Sequence, residues 1–390
     1  MSSRGRSASG CSTATPSKRN GSAGGCVITS RSNFHRSAAP SFLIVSLRYI
    51  GDVLLSTPLA LSIKERFPDA TIDYLVLKGT EGVLAKNPLI RSVHTIDPQK
   101  SVVPLLLSLW KKYDYAIGSN VSDRTTLFCV AAGRRSYGFS YFRGKEWWKK
   151  LLLSSCRLYD DRMHIVPLVL TRLEPLAIPP RPRVVAGGDA EDEAYAARLF
   201  GDAGYVVLHP YSRKEYKCWT VDGWRRLAGL ILDAGLKPLF TVSPNADDAK
   251  MLADILAVAP EGTGSIGDVL SFPRLAAVIR RGRGYVGVDT VVTHMAAALD
   301  VPTVALYGPT LVHHWGPWPN DFPGSAPYGP RGTIQRQGSI VVIQKEWECV
   351  PCNREECSRT DGGPIACMDA ITPEEVMTEL AGLLETGGRP

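Results

Sequence analysis

Apolar residues along this chain fall into two alternating patterns. Short, nearly continuous runs at 42–46, 71–77, 113–119, 205–208, 238–242, 285–288 and 303–307 have the length of buried strands. Between several of them apolar side chains recur every three or four positions, the spacing of an amphipathic helix. One such stretch ends near Arg66, another covers 189–199, and a third runs from about 221 to 234. Strands alternating with helices of this length predict parallel sheets in an α/β protein. Thr57-Pro58 predicts a helix entry, with Thr57 as N-cap and the proline in the first position. Gly51 and Asp52 then fall on the turn before it, or on a first turn kinked by the proline. The proline-rich stretch 178–183 marks a change of domain. Near the end, Thr372-Pro373-Glu374-Glu375 reads as a capping box that opens a helix bearing Val376, Leu380, Leu383 and Leu384.

Two junctions carry chemistry. Tyr285 to Val288 breaks into Asp289-Thr290 and then into an alanine-rich helical pattern that includes Val291, Val292 and His294. Phe42 to Ser46 breaks into Leu47-Arg48-Tyr49-Ile50-Gly51-Asp52. A strand that ends where a helix begins points free N–H groups out of the sheet edge, where diphosphates bind. One junction in each half suggests a cleft between two α/β domains.

At 390 residues and 44% hydrophobic, the chain suffices for two domains, and no uncharged apolar run approaches a bilayer span. The net charge of +7 is misleading: Arg4, Arg6, Lys18, Arg19, Arg31 and Arg36 lie within residues 1–40, which hold no acid. Without those six, 39 basic residues face 38 acidic ones, so nucleic acid is not an expected partner of the body. Residues 1–40 lack the apolar core of a secretory signal and read as a disordered leader.

The second-half strands end in polar groups at 209–217, 243–248 and 289–294, which a doubly wound sheet gathers on one edge. Within His209-Pro210-Tyr211-Ser212-Arg213-Lys214-Glu215-Tyr216-Lys217, cations and hydroxyls suit a diphosphate, although such lysines also serve as solvated loop charges. Asp289 and Thr290 fit a ligand site or a plain helix cap, and His294 a ligand or a core histidine. Asp52 likewise fits a base or a turn residue. Gly282 to Gly287 matches G-x-G-x-x-G, but it runs from a helical stretch into a strand, opposite to a dinucleotide fingerprint. Cys349, Cys352, Cys357 and Cys367 form a C-terminal cluster that could ligate zinc or remain as local disulfides or free thiols. No Asp-x-Asp pair sits at a strand end, so no obligatory divalent metal or other cofactor is expected.

Leu47 to Pro58 resembles the N-terminal motif of the ADP-heptose:lipopolysaccharide heptosyltransferases, glycosyltransferase family 9. The 209–219 loop, 287–298, Tyr307-Gly308-Pro309-Thr310 and Trp315-Gly316-Pro317-Trp318 are similar to its later motifs, in the same order. The Cys349-x-x-Cys352 tail resembles a branch of the family. The resemblance implies GT-B architecture, two Rossmann-like domains with parallel sheets facing across a cleft. It implies inverting transfer of heptose from ADP-heptose to a sugar hydroxyl of the lipopolysaccharide core. Carried over, Asp52 is the base, with Arg48, Gly51 and Thr57 on the acceptor side. Lys217 and the N–H groups of 289–292 hold the diphosphate, Asp289 touches the donor sugar, and His209, Ser212, Arg213, Thr290 and His294 complete the donor site. Val291 stands where the family commonly has a small residue, which leaves donor identity open.

The expected organisation is a leader (1–40), an acceptor domain (41–183), a donor domain (184–345) and a cysteine-containing tail with a helix (346–390). The expected partners are a nucleotide-sugar donor and a lipid-linked oligosaccharide acceptor. The expected place is the cytoplasm, with peripheral inner-membrane contact through the basic aromatic segment around Trp147 and Trp148. Competing readings are a hexosyltransferase or nucleotide-sugar epimerase on the same fold, and an inactive nucleotide-sugar-binding regulator.

Overall fold

The computed structural model describes residues 39–141, 144–200, 204–360 and 365–386. The expected leader, save its last two residues, lies outside them, as do Cys11 and Cys26. Among the described residues thirteen strands form two sheets. The first contains β1 (Ser41–Ser46), β2 (Thr71–Leu77), β3 (Ser92–Ile96), β4 (Tyr113–Gly118), β5 (Gly133–Ser140) and β6 (Ser155–Leu158). The second contains β7 (Tyr205–His209), β8 (Lys237–Phe240), β9 (Gly264–Ser265), β10 (Gly284–Val288), β11 (Thr303–Tyr307), β12 (Ile334–Gln337) and β13 (Ile340–Gln344).

The first sheet is parallel throughout, in the order β3-β2-β1-β4-β5-β6. The second runs β9-β8-β7-β10-β11-β13, the same order of succession, with β12 added antiparallel to β13 at the edge. This is the doubly wound order of dinucleotide-binding folds, and each sheet reverses direction beside its first strand. The reversal leaves a crevice between the ends of β1 and β4 in one sheet, and between β7 and β10 in the other. Central strands such as β10 and β11 are buried along their whole length, which explains their unbroken apolar runs.

Helix entries follow local chemistry. Thr220, Asn245 and Thr290 cap their helices by accepting backbone N–H groups. At the C-terminus, Thr372 N donates to Glu375 Oε2 at 2.8 Å and Glu375 N to Thr372 Oγ1 at 3.2 Å, the reciprocal box expected there. Its helix, Pro373–Thr386, packs with the Val221–Asp233 helix into the second sheet's core through Val376 and Leu380. One expectation needs correction. Thr57 is not an N-cap: the helix Thr57–Arg66 begins on it, behind a separate short helix, Ile50–Leu55, that carries Gly51 and Asp52. The Thr57 hydroxyl donates to Leu54 O and accepts from Val185 N, so it fastens the inter-sheet segment to the first lobe.

The lobes share continuous apolar packing: Ile50, Val291, Val292 and Met295 belong to a cluster that also holds Phe42 and Tyr205. Polar contacts add to it. His164 Nε2 lies 2.8 Å from Gly316 O, and Tyr159 Oη lies 2.9 Å from His314 Nε2. Among the described residues no helix is long and apolar enough to cross a membrane.

Candidate active site between two strand-end crevices

Asp52 sits in the first turn of the Ile50–Leu55 helix, just beyond β1. Its side chain is 11% exposed, with Arg48 Nη1 3.9 Å away. Burial pushes its carboxyl up to about 6, against the opposing pull of Arg48, of the Asp52 and Tyr49 backbone N–H groups, and of Lys217. A carboxylate tuned to that range holds a proton weakly enough to release it near neutrality and strongly enough to accept one. The influence of Lys217 on Asp52 crosses from the second lobe to the first.

Lys217 lies at the end of a 3-10 turn, Glu215–Lys217, in the loop after β7. Its ammonium is 2.6 Å from Asp289 Oδ2, at the end of β10. Burial pulls the ammonium down, but Asp289 outweighs it and the net shift is upward, so Lys217 stays charged. Ser212 Oγ donates to Asp289 O at 3.4 Å, which ties the two loops together. Asp289 is thereby engaged by Lys217 rather than standing alone.

The Val291–Ala298 helix starts against this pair. Thr290 Oγ1 accepts the Val292 N–H, so of the N–H groups expected to meet a diphosphate the one at Val292 is already bonded. The Val292 side chain is buried and Val291 is half-buried against the shared core. His294 is buried one turn in, and a Cβ added to Gly51 would meet its Cδ2 at 3.6 Å, ordinary contact. Burial lowers its imidazole to about 4, with Asp289 opposing, so the ring is neutral at pH 7. Its buried Nδ1 has no hydrogen-bond partner among the described residues, which marks a position where a ligand gains a bond.

Two further cations bridge the lobes. Arg213 lies 4.9 Å over the Tyr49 ring, and Arg48 lies 5.9 Å from the Trp315 ring centre. His209 is set deeper: its Nδ1 lies 2.8 Å from Thr241 Oγ1, and burial drives the ring down to about 3. Sequence reasoning overlooked Tyr49, Thr241, His164 and His314, because lone aromatic and hydroxyl residues carry no spacing signal. The structure thus gathers Asp52, Gly51, His294, Lys217, Asp289 and Ser212 around one inter-lobe region.

Two Rossmann-type parallel sheets whose strand-end crevices face each other are the GT-B architecture, and here one crevice carries a buried carboxylate and the other a cation and a helix N-terminus. Comparison with known proteins gives the family. Residues 109–326 match the model of glycosyltransferase family 9 (heptosyltransferase); the 47–58 motif lies outside that span. Lipopolysaccharide heptosyltransferase 3 of Escherichia coli K12 is 30% identical over 291 residues, covering 70% of this chain and 83% of that protein. The structure of E. coli ADP-heptose LPS heptosyltransferase II aligns with a TM-score of 0.68 at 21% identity, covering 90% of this chain and 100% of the other. E. coli heptosyltransferase WaaC with ADP aligns at 0.66 and 18%, covering 88% and 99%. The chain belongs to glycosyltransferase family 9, and it is a glycosyltransferase of the heptosyltransferase kind.

Proposed function

We propose that the chain transfers a heptosyl group from ADP-heptose to a sugar hydroxyl of the lipopolysaccharide core, with inversion. The observation that carries this reading is the buried Asp52 carboxylate on one lobe, within the field of Lys217 on the other. The names of its relatives, which specify lipopolysaccharide heptosyl transfer and ADP, support the substrate classes. In the reaction, the acceptor oxygen attacks the anomeric carbon from the face opposite the diphosphate. The carbon–oxygen bond to the diphosphate breaks, its electron pair leaves with the ADP, and the hydroxyl proton passes to Asp52. Lys217 and the first-turn N–H groups of the Val291–Ala298 helix other than that of Val292, which Thr290 caps, meet the charge that grows on the leaving group. Arg48 stays beside Asp52 and stabilises its ionised form.

In this reading the first lobe takes the acceptor and the second the donor, and the enzyme works at the cytoplasmic face of the inner membrane. The helix Trp147–Leu152 supports that placement, since Trp147 is 65% and Leu151 73% exposed. Lys149, by contrast, is buried against Glu146 and Asp123 and does not face lipid.

The test is turnover of a panel of nucleotide sugars on defined core acceptors, with Asp52→Ala alongside wild type. ADP release from ADP-heptose alone among the donors is expected. Asp52→Ala should keep donor affinity within about twofold while losing roughly 10²–10⁴ in rate. Saturable donor binding without turnover in wild type would indicate a binder, and equal losses of affinity and rate would make Asp52 structural.

A further inference from the structure

Four thiols from a segment the transfer reaction does not use line one cavity. The described residues 345–360 form neither helix nor strand. Cys349, Cys352, Cys357 and Cys367 nevertheless surround a cavity of about 270 Å³, and none is in a disulfide. One of the four meets a cation. Arg359 Nε donates to Cys349 Sγ at 3.4 Å, and the same guanidinium lies 4.7 Å over the Trp347 ring. Neutral sulfur is a weak acceptor, so a guanidinium placed on it fits the anionic, metal-binding form better. Asn353, directly after Cys352, holds a left-handed φ of 53°, which asparagine tolerates.

The geometry points to a structural metal site in which Cys349, Cys352, Cys357 and Cys367 close on a zinc or iron ion as four thiolates. Among the described residues no three candidate ligands stand close enough to hold an ion already, so the loop must contract around it. A segment without helix or strand can do so, and binding free energy then becomes folding free energy. Each thiol gives its proton to solvent as its sulfur–metal bond forms, and no electron is transferred. Four thiolates and one dication leave a net charge of −2, which Arg359 and Arg354 at the cavity wall partly offset.

The site would also brace the donor side. Asn353 N donates to Pro309 O at 2.7 Å, and Glu355 pairs with Lys214 Nζ at 2.5 Å, three residues before Lys217. A fixed cysteine loop therefore holds the 209–217 loop in place. This consequence rests on the donor-site reading above, whereas metal content does not.

The experiment is metal analysis by plasma mass spectrometry on the tag-free, full-length protein, purified reduced and without chelator from zinc- and iron-supplemented cells. About one equivalent of zinc or iron per chain is expected. Cys352→Ser and Cys357→Ser should each lower it at least tenfold, while Cys156→Ser, outside the cavity, should retain it. Should those variants fail to fold, wild type still decides: stripping the metal should expose four additional thiols to alkylation, and added zinc should protect them again. Metal-free wild type that takes up no zinc, metal retained in Cys352→Ser/Cys357→Ser, or two disulfides in the intact mass would each overturn the site. Metal removal should weaken ADP binding with no change in the pH profile of turnover. Metal present without that weakening would leave the site standing and remove only its link to the donor loop.

Discussion

Asp52 titrates near 6 in the folded chain against an ordinary 3.8, so the native state holds its proton more tightly than the unfolded chain. Its ionisation therefore costs stability as pH rises through that window, the reverse of a salt-bridged aspartate. Asp52→Asn should stabilise the protein by about 2–3 kcal/mol at pH 7.5 and hardly at all at pH 3.5. Urea unfolding at the two values checks this, and an equal effect at both would mean that Asp52 is not strained by burial. The same titration predicts that wild-type turnover falls about tenfold per pH unit below 6, as the base is protonated. None of this tuning is visible in the sequence. Arg48 four residues earlier was legible as a neighbour, but the burial that dominates comes from packing between the lobes.

At the level of elements, the loop after β7 and the end of β10 meet through Lys217 and Asp289, 72 positions apart in sequence. Lys217→Ala leaves the Asp289 carboxylate buried without its cation, at a cost of about 3–5 kcal/mol. Lys217→Met/Asp289→Asn should restore much of the melting temperature but not ADP affinity, as read by calorimetry and titration. Recovery of both would make the pair a structural bridge. Both loops were legible because polar clusters at strand ends are a local signal. Several strands were not. β5 carries Arg134, Arg135 and two glycines, and β6 is an edge strand with no buried residue, so neither shows a continuous apolar run. β13 is a plain Ile-Val-Val-Ile run that the alternation should have included. Thr57 looked like a cap, yet its hydroxyl serves the segment at Val185, which local pattern does not foresee.

For the whole molecule, exposed Trp147 and Leu151 belong to the lobe that would receive a lipid-linked acceptor. Trp147→Ser/Leu151→Ser should weaken binding to anionic vesicles by about tenfold or more, given the apolar area withdrawn. Transfer to a water-soluble core fragment should be unchanged. Sedimentation with vesicles measures the first and ADP release the second; unaltered vesicle binding would move the membrane contact elsewhere.

The amino-acid order by itself determined the alternation of strands and helices, the chemical character of their ends and the family motifs. Those properties arise from hydrogen bonds and apolar periodicity within a few neighbouring positions. Only the tertiary structure decided that His294 lies within reach of a side chain at position 51, that Asp52 lies in the field of Lys217, and that the four C-terminal thiols line one cavity. Burial and electrostatic potential depend on surfaces brought together from distant parts of the chain, and no local spacing encodes them.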